Sequence, residues 1–383
     1  MIMAIDNKEK VLNVPNLRFP EFTGEWKLHA TTDYFEFKNG LNPEAKRFGL
    51  GTKFISVMDI LNNRYITYDK VIASVLPKDD DLKEFGVNYG DILFQRSSET
   101  LEDVGRANVY LDDKTALFGG FVIRGKKIGN YNPLFFRYLL SSPNARKSII
   151  VKGAGAQHFN ISQDGLSKVL LNVPSIQEQE KISQFINYID ERIDTQSKII
   201  EKLESLIKGL CQKLTQQSDS NTTLNECLEC YSSTLQENSV FEVGDFPVYG
   251  ATGVCGYTGT PEVNRDSILI IKDGASVGAT YYASGKYSVI GTLNSLVAKK
   301  GYSLRYLYYC LKVFNFAPYR TGLAIPHIYF KDYGKAQIWC PQIEEQCRIA
   351  SALEKVEQKI ATEKSLLEQL YSQKRFLLQE MFI

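Results

Sequence analysis

What is missing from this 383-residue chain excludes several functions before any motif is weighed. Its three histidines, His29, His158 and His327, are too few and too scattered for a catalytic or metal-binding cluster. There is no Gly-x4-Gly-Lys-Ser/Thr phosphate cradle, so a P-loop ATPase is excluded. No Asn/Asp-Pro-Pro-Tyr/Phe run occurs, which argues against a base-amino methyltransferase. No apolar run could span a bilayer, and residues 1–10 hold no hydrophobic core of a signal peptide, so a cytoplasmic location is expected. The seven cysteines are odd in number and irregularly spaced, as expected of reduced thiols. Cys227 and Cys230 make half a zinc site at most, because no second pair stands at ligand spacing. Net charge is nearly absent too. The 45 Lys and Arg against 44 Asp and Glu leave +1, which announces neither a nucleic-acid nor a membrane binder. Asp79-Asp80-Asp81 beside Lys83 is the nearest thing to a nuclease carboxylate cluster and reads better as a solvated loop. An unaided enzyme is not expected.

What the chain does hold is one long stretch written twice. Residues 174–215 lie on 341–382 without a gap, pairing Pro174 with Pro341, Glu178-Gln179 with Glu345-Gln346, Ile193 with Ile360 and Leu210 with Leu377. A repeat so far apart means two similar halves. In the first copy Ile182, Ile186, Ile189, Ile193, Ile200 and Leu203 fall on a 4-3-4-3 spacing, counting Gln196. In the second, Ile349, Leu353, Val356, Ile360, Leu367 and Leu370 repeat it, counting Glu363. So narrow an apolar seam marks coiled-coil packing rather than a broad globular face. Gln196 and Glu363 interrupt it at equivalent places, where a polar group fixes register at some cost in stability. Ser175 with Glu178 reads as a capping box; the second copy keeps Glu345 but has the poorer cap Gln342. Neither run contains proline, and some forty residues at 1.5 Å each make a rod on the order of 60 Å long. The simplest arrangement pairs the two rods. Two helices buried separately in two globular cores is the plainer alternative.

Ahead of each rod lies a stretch of short β-type runs and turns long enough for a core of its own. Residues 14–27 form an extended, proline-punctuated leading segment anchored by Trp26. Gly90-Asp91-Ile92-Leu93-Phe94 reads as a turn and a strand, continuing into Gln95-Arg96-Ser97-Ser98. Asp266-Ser267-Ile268-Leu269-Ile270-Ile271 answers it in the second half, and Val277-Gly278 answers Val104-Gly105. A helix is expected over 135–150, interrupted by Pro143, and helical 304–313 answers Leu134 to Leu140. The stretch from Thr321 to Ile328 answers that from Ala154 to Ile161, so His327 falls on Asn160, which favours a shared loop role over catalysis. With a polar linker near 216–223, the expected division is 1–173, a long helix over 174–217, a second domain over 218–340 and a second long helix over 341–383.

The leading segment, the Pro174…Glu178-Gln179 and Pro341…Glu345-Gln346 helix starts, and the domain-helix-domain-helix order together resemble the specificity subunit of type I restriction–modification enzymes. The resemblance covers nearly the whole chain; the helix starts and leading segment are its most specific parts. It implies an α+β fold, with two mixed α/β target-recognition domains joined by two long helices in an antiparallel coiled coil. Each domain would read one half of a split, asymmetric double-stranded DNA site. Two modification subunits would dock on the assembly and methylate adenine at N6, using S-adenosylmethionine that they bind themselves. Restriction subunits, where present, would add ATP- and Mg-dependent translocation and cleavage. The chain itself would bind no cofactor or metal and catalyse nothing. A stand-alone DNA-binding or regulatory protein, and a coiled-coil scaffold without a DNA role, are the alternatives.

Direct readout calls for polar and cationic side chains on loops that reach the major groove. In the first half Asn62, Asn63, Arg64, Gln95, Arg96, Ser97, Ser98, Gln157 and Asn160 fit that description. In the second half Tyr249, Tyr257, Lys272, Asp273, Ser276, Arg320 and His327 do. The plain alternative for each is an ordinary surface residue. Gly155 and Gly322 read as backbone turns. Near-neutral charge predicts a weak binder when alone, because phosphate contacts supply much of the affinity for DNA.

Overall fold

The computed structural model describes residues 13–155, 158–322 and 324–383. Two compact units emerge, Met1–Thr195 with Leu367–Ile383, and Gln196–Leu366. The division falls inside both long helices, Ile176–Thr215 and Ile343–Glu380.

In the first unit four strands run in the order Phe35–Asn39, Val122–Lys127, Ile92–Gln95, Ala107–Val109, each antiparallel to its neighbours. Ile92–Gln95 is buried along its whole length, which is why its apolar run is unbroken rather than alternating. Ile92 and Phe94 enter one core with Phe35, Ile123, Phe135 and Phe136. Leu93, on the other face, enters a second core with Ile55, Phe118 and Val122. The helix expected over 135–150 is two helices, Pro133–Ser141 and Pro143–Ile150. Ser142 ends the first in extended backbone and caps the second, whose first turn accommodates Pro143. The acidic triplet is not all solvated loop: Asp81 opens the helix Asp81–Phe85 and is buried against Arg47.

The second unit repeats the plan. Leu228–Ser232, Leu293–Ala298, Ser267–Ile271 and Thr280–Ala283 form an antiparallel sheet in the same order. Ile268 and Ile270 face a core shared with the helix Leu304–Lys312, and Leu269 and Ile271 face one shared with Val248 and Val289.

Each unit fastens its sheet-and-helix body to a long helix by equivalent bonds. Gln179 donates through Nε2 to the Pro174 carbonyl at 3.0 Å and accepts through Oε1 from the Asn132 amide at 3.0 Å. Gln346 donates to the Pro341 carbonyl at 2.7 Å and accepts from the Ser303 amide at 2.8 Å. Asn132 and Ser303 cap the helices Pro133–Ser141 and Leu304–Lys312, so the repeated glutamine locks one helix start to another. Three turns further along, the Tyr138 hydroxyl donates to Asp190 and the Tyr309 hydroxyl to Glu357, each at 2.8 Å.

The repeated glutamate behaves differently in the two copies. Glu178 is buried and accepts two bonds of 2.7 Å from Arg18 and one of 3.2 Å from the Trp26 indole. The expected capping box is therefore only half made. The Glu178 amide reaches the Ser175 hydroxyl at 3.4 Å, while its carboxylate is turned to the leading segment. Glu345 instead pairs with Arg348 on its own helix at 2.7 Å.

In the first unit Ile182, Ile186, Ile189 and Ile193 share a core with Leu370, Leu377 and Met381, and Leu367 packs against it. Early positions of one helix thus face late positions of the other, so the segments run antiparallel. In the second unit Ile207 and Cys211 pack with Ile349, Leu353 and Ile360, flanked by Leu203 and Val356, again antiparallel; Ile200 is buried as well. Gln196 Nε2 donates to the Glu363 carbonyl at 3.1 Å and to its carboxylate. The two interruptions of the seam are each other's partners. No described helix is long and apolar enough to cross a membrane.

Candidate nucleic-acid interface

In each four-stranded sheet the inner strand that is buried along its whole length ends at a long cation. Beyond Ile92–Gln95 the Arg96 amide donates to the Phe121 carbonyl at 2.9 Å, and the Arg96 carbonyl accepts from Ile161 at 3.0 Å. Beyond Ser267–Ile271 the Lys272 amide donates to the Thr292 carbonyl at 3.0 Å, and its carbonyl accepts from Ile328 at 2.9 Å. Backbone register alone therefore makes Arg96 and Lys272 equivalent. The next loops match as well. Ala154 and Asn160 exchange backbone bonds of 2.9 and 2.8 Å, as Thr321 and His327 do at 2.9 and 2.7 Å. Gly155 and Gly322 turn these loops at φ of 144° and 88°, conformations that favour glycine.

On this common frame the side chains differ. Ser97 donates to Asn160 in the first unit, where the second pairs Asp273 with His327 Nδ1 at 2.6 Å. The first pair is neutral; the second contains a carboxylate and an imidazole. In the first unit Arg96, Asn160, Asn39, Lys152, Gln163 and Asp164 line an open hollow of about 420 Å³. Ser98 is close by, its hydroxyl accepting from the Thr100 amide at 3.2 Å. In the second unit Arg320 is exposed and bonds the Val277 carbonyl at 3.1 Å, and Ser276 is exposed in the same turn. The structure thus gathers Arg96, Ser97, Ser98 and Asn160 in one unit, and Lys272, Asp273, Ser276, Arg320 and His327 in the other.

The remaining candidates lie elsewhere. Arg64 is committed to the long helix, donating to Asp194 at 2.9 Å and to Asn187, with its side chain 15% exposed. Burial works against its charge, but the bond to Asp194 and the nearby Asp190 outweigh that and hold the guanidinium above its ordinary value. Asn62 is exposed at the end of the short helix Val57–Asn62, and Asn63 folds back onto the Asp59 carbonyl at 3.0 Å. The Gln95 side chain is buried and donates to the Ser97 carbonyl at 2.9 Å, supporting the loop from beneath. Tyr249 packs edge-on to Tyr287 with centroids 5.5 Å apart, and Tyr257 pairs through its backbone with Phe241. Both belong to a separate three-stranded sheet, formed by Gly253–Thr258, Phe246–Gly250 and Ser288–Val289 in that order. Gln157 lies outside the described residues. Sequence reasoning missed Lys152, which only the folded loop brings beside Arg96, and Phe121, whose backbone holds Arg96. Among the described residues there is no cluster of three or more potential metal ligands.

Two copies of one sheet-and-helix plan, each followed by a long helix and carrying unlike side chains at matching strand ends, define a repeat protein with two different loop sets. The chain belongs to the type I restriction modification DNA specificity domain family, whose model matches residues 23–205 and 230–372. The type I restriction enzyme MjaVIII specificity subunit of Methanocaldococcus jannaschii is 29% identical over 215 residues, which is 56% of this chain and 47% of that one. The chain spans about half the length of the curated relatives it matches. Its fold is similar to that of the S subunit of a type I restriction-modification system from M. genitalium (TM-score 0.61, 18% identity, covering 97% of this chain and 99% of that one). A chain from a structure describing complex assembly and conformational transition of the type I R-M system is similar as well, with TM-score 0.59, 15% identity and coverage of 92% and 96%.

Proposed function

We propose that this chain is the DNA-recognition subunit of a type I restriction–modification complex, reading a bipartite, asymmetric duplex site. The observation that carries this reading is the equivalence of Arg96 and Lys272 on one repeated frame whose other loop side chains differ. A shared frame presents each loop in the same way, and unlike loops read unlike half-sites. Residues 1–173 and 218–340 serve as the two readers, joined by the long helices over 174–217 and 341–383. The chain works without catalysing. It positions two modification subunits that methylate adenine at N6 with their own S-adenosylmethionine, and it takes restriction subunits using ATP and Mg where the system cleaves. Such an assembly works in the cytoplasm, where the DNA is.

Near-neutral charge fits this division of labour, since a chain of net charge +1 has little to offer phosphates over its whole surface. The test is duplex binding by the purified chain with and without candidate modification subunits. Alone it should bind weakly and leave DNA unmodified. Together they should bind tightly, with affinity falling steeply as salt rises, and methylate one split motif. Tight, sequence-specific binding by the chain alone, unchanged by those subunits, would refute the proposal.

A further inference from the structure

Phe121 is 69% exposed. Single exposed apolar side chains are ordinary, so exposure by itself says little. Its setting says more. The Arg96 amide donates to the Phe121 carbonyl at 2.9 Å, and the Arg96 guanidinium reaches the Gly120 carbonyl at 3.3 Å. The turn that carries the phenyl ring is held from several sides. The Gly119 amide donates to the Ile55 carbonyl at 3.0 Å and the Val122 amide to the Gly119 carbonyl at 2.9 Å. A Cβ on Gly120 would stand 2.0 Å from Asn42 Oδ1, so the close approach there requires glycine or a displaced Asn42. A fixed turn thus presents a bare phenyl ring beside the cation proposed to read a base edge.

We propose that Phe121 contacts the 5-methyl group of a thymine next to the base read by Arg96, which makes it a specificity-determining residue for the first half-site. This rests on the DNA-reading function proposed above. The major-groove edges of the four base pairs offer one apolar group, the thymine methyl, and phenylalanine is among the side chains that meet it. An arginine beside it pairs with guanine O6 and N7, so a ring fixed at its side falls on the neighbouring base pair. In the second unit the equivalent carbonyl belongs to Thr292, which is smaller and half-buried, so the effect is confined to one half-site.

The test selects binding sites from a random duplex library with the full chain in complex with its modification subunits, as wild type, R96A, F121A and F121L. The wild type should select a thymine adjacent to the base whose identity R96A ceases to specify. Replacing that thymine by deoxyuridine removes only the methyl and should weaken wild-type binding about fourfold, the share of one buried methyl. F121A should bind thymine and uracil duplexes equally, and F121L should keep most of the discrimination. The uracil duplex needs no protein variant, so a folding defect cannot mimic its effect. Equal wild-type affinity for the two duplexes, or discrimination retained in F121A, would overturn the assignment while leaving the DNA-reading function intact. Loss of modification-subunit assembly in F121A, with the wild type indifferent to uracil, would also overturn it, by making Phe121 a protein contact. Selection of no sequence by the wild type would bring down the DNA-reading function, and this inference with it.

Discussion

The Tyr138 hydroxyl and the Asp190 carboxylate stand 2.8 Å apart, and Tyr309 and Glu357 stand in the same relation at the same distance. Each bond joins a short helix of one body to the long helix behind it. Tyr138→Phe keeps the buried ring and removes only a bond to a buried charge, and should cost about 1.5–3 kcal/mol. Tyr309→Phe should cost less, about 0.5–1.5 kcal/mol, because Glu357 keeps contact with water. Denaturant melts of the two variants give the comparison. Two negligible shifts would mean that these bonds do not fasten the bodies.

Asp190 also holds Lys374 at 2.6 Å. Burial, with Arg137 beside it, keeps the Lys374 ammonium below the ordinary lysine value of 10.5, against the pull of Asp190. Between that lowered value and 10.5 the unfolded chain therefore holds more protons than the folded one. Stability owed to this group rises with pH across that window and is at its lowest below it. Lys374→Met retains the apolar stem without the charge and should flatten the rise. Melts from neutral pH to 10.5 check this; identical slopes for wild type and variant would refute it.

The two helix-start glutamates should respond unequally. Arg18→Met leaves Glu178 buried with the Trp26 indole and no cation, and should cost about 2–3 kcal/mol, less than a fully enclosed pair because Arg18 keeps some solvent. Glu345→Gln removes a pair on one exposed helix face and should leave the melt unchanged. Equal effects would mean that the leading segment does not stabilise the first helix start.

The strand-end cations should act on separate half-sites. Arg96→Ala should relax or abolish recognition at one half-site, with about 1–3 kcal/mol of discrimination at stake if it pairs with a guanine. Lys272→Ala should affect only the other half-site, and by less, because an ammonium meets the base edge as a point charge. Sequencing the methylated motif of each variant base by base gives the readout. Loss spread evenly over both half-sites would assign these residues to phosphate or structure.

The repeat, the seam and the order of domains and helices were legible in the chain because each is a periodic signal carried by neighbours in sequence. A 4-3-4-3 spacing reports helical geometry wherever it occurs, and the offset between Pro174 and Pro341 reports two halves without any contact being known. The equivalence of Arg96 and Lys272 was legible for the same reason, since an apolar strand run precedes each. Which side chains meet was decided by tertiary structure alone. Arg64 sits in a polar stretch that reads as a surface loop, yet its partner Asp194 lies 130 positions away on the long helix. Glu178 is spaced as a capping partner for Ser175, but burial beside Arg18 offered its carboxylate a stronger, charged donor. Gln95 looks like a reader by type, and strand burial turns it into a support for the loop above it. Phe121 joins Arg96 because strand register, set by cores on both faces of the sheet, brings together positions that no local period connects.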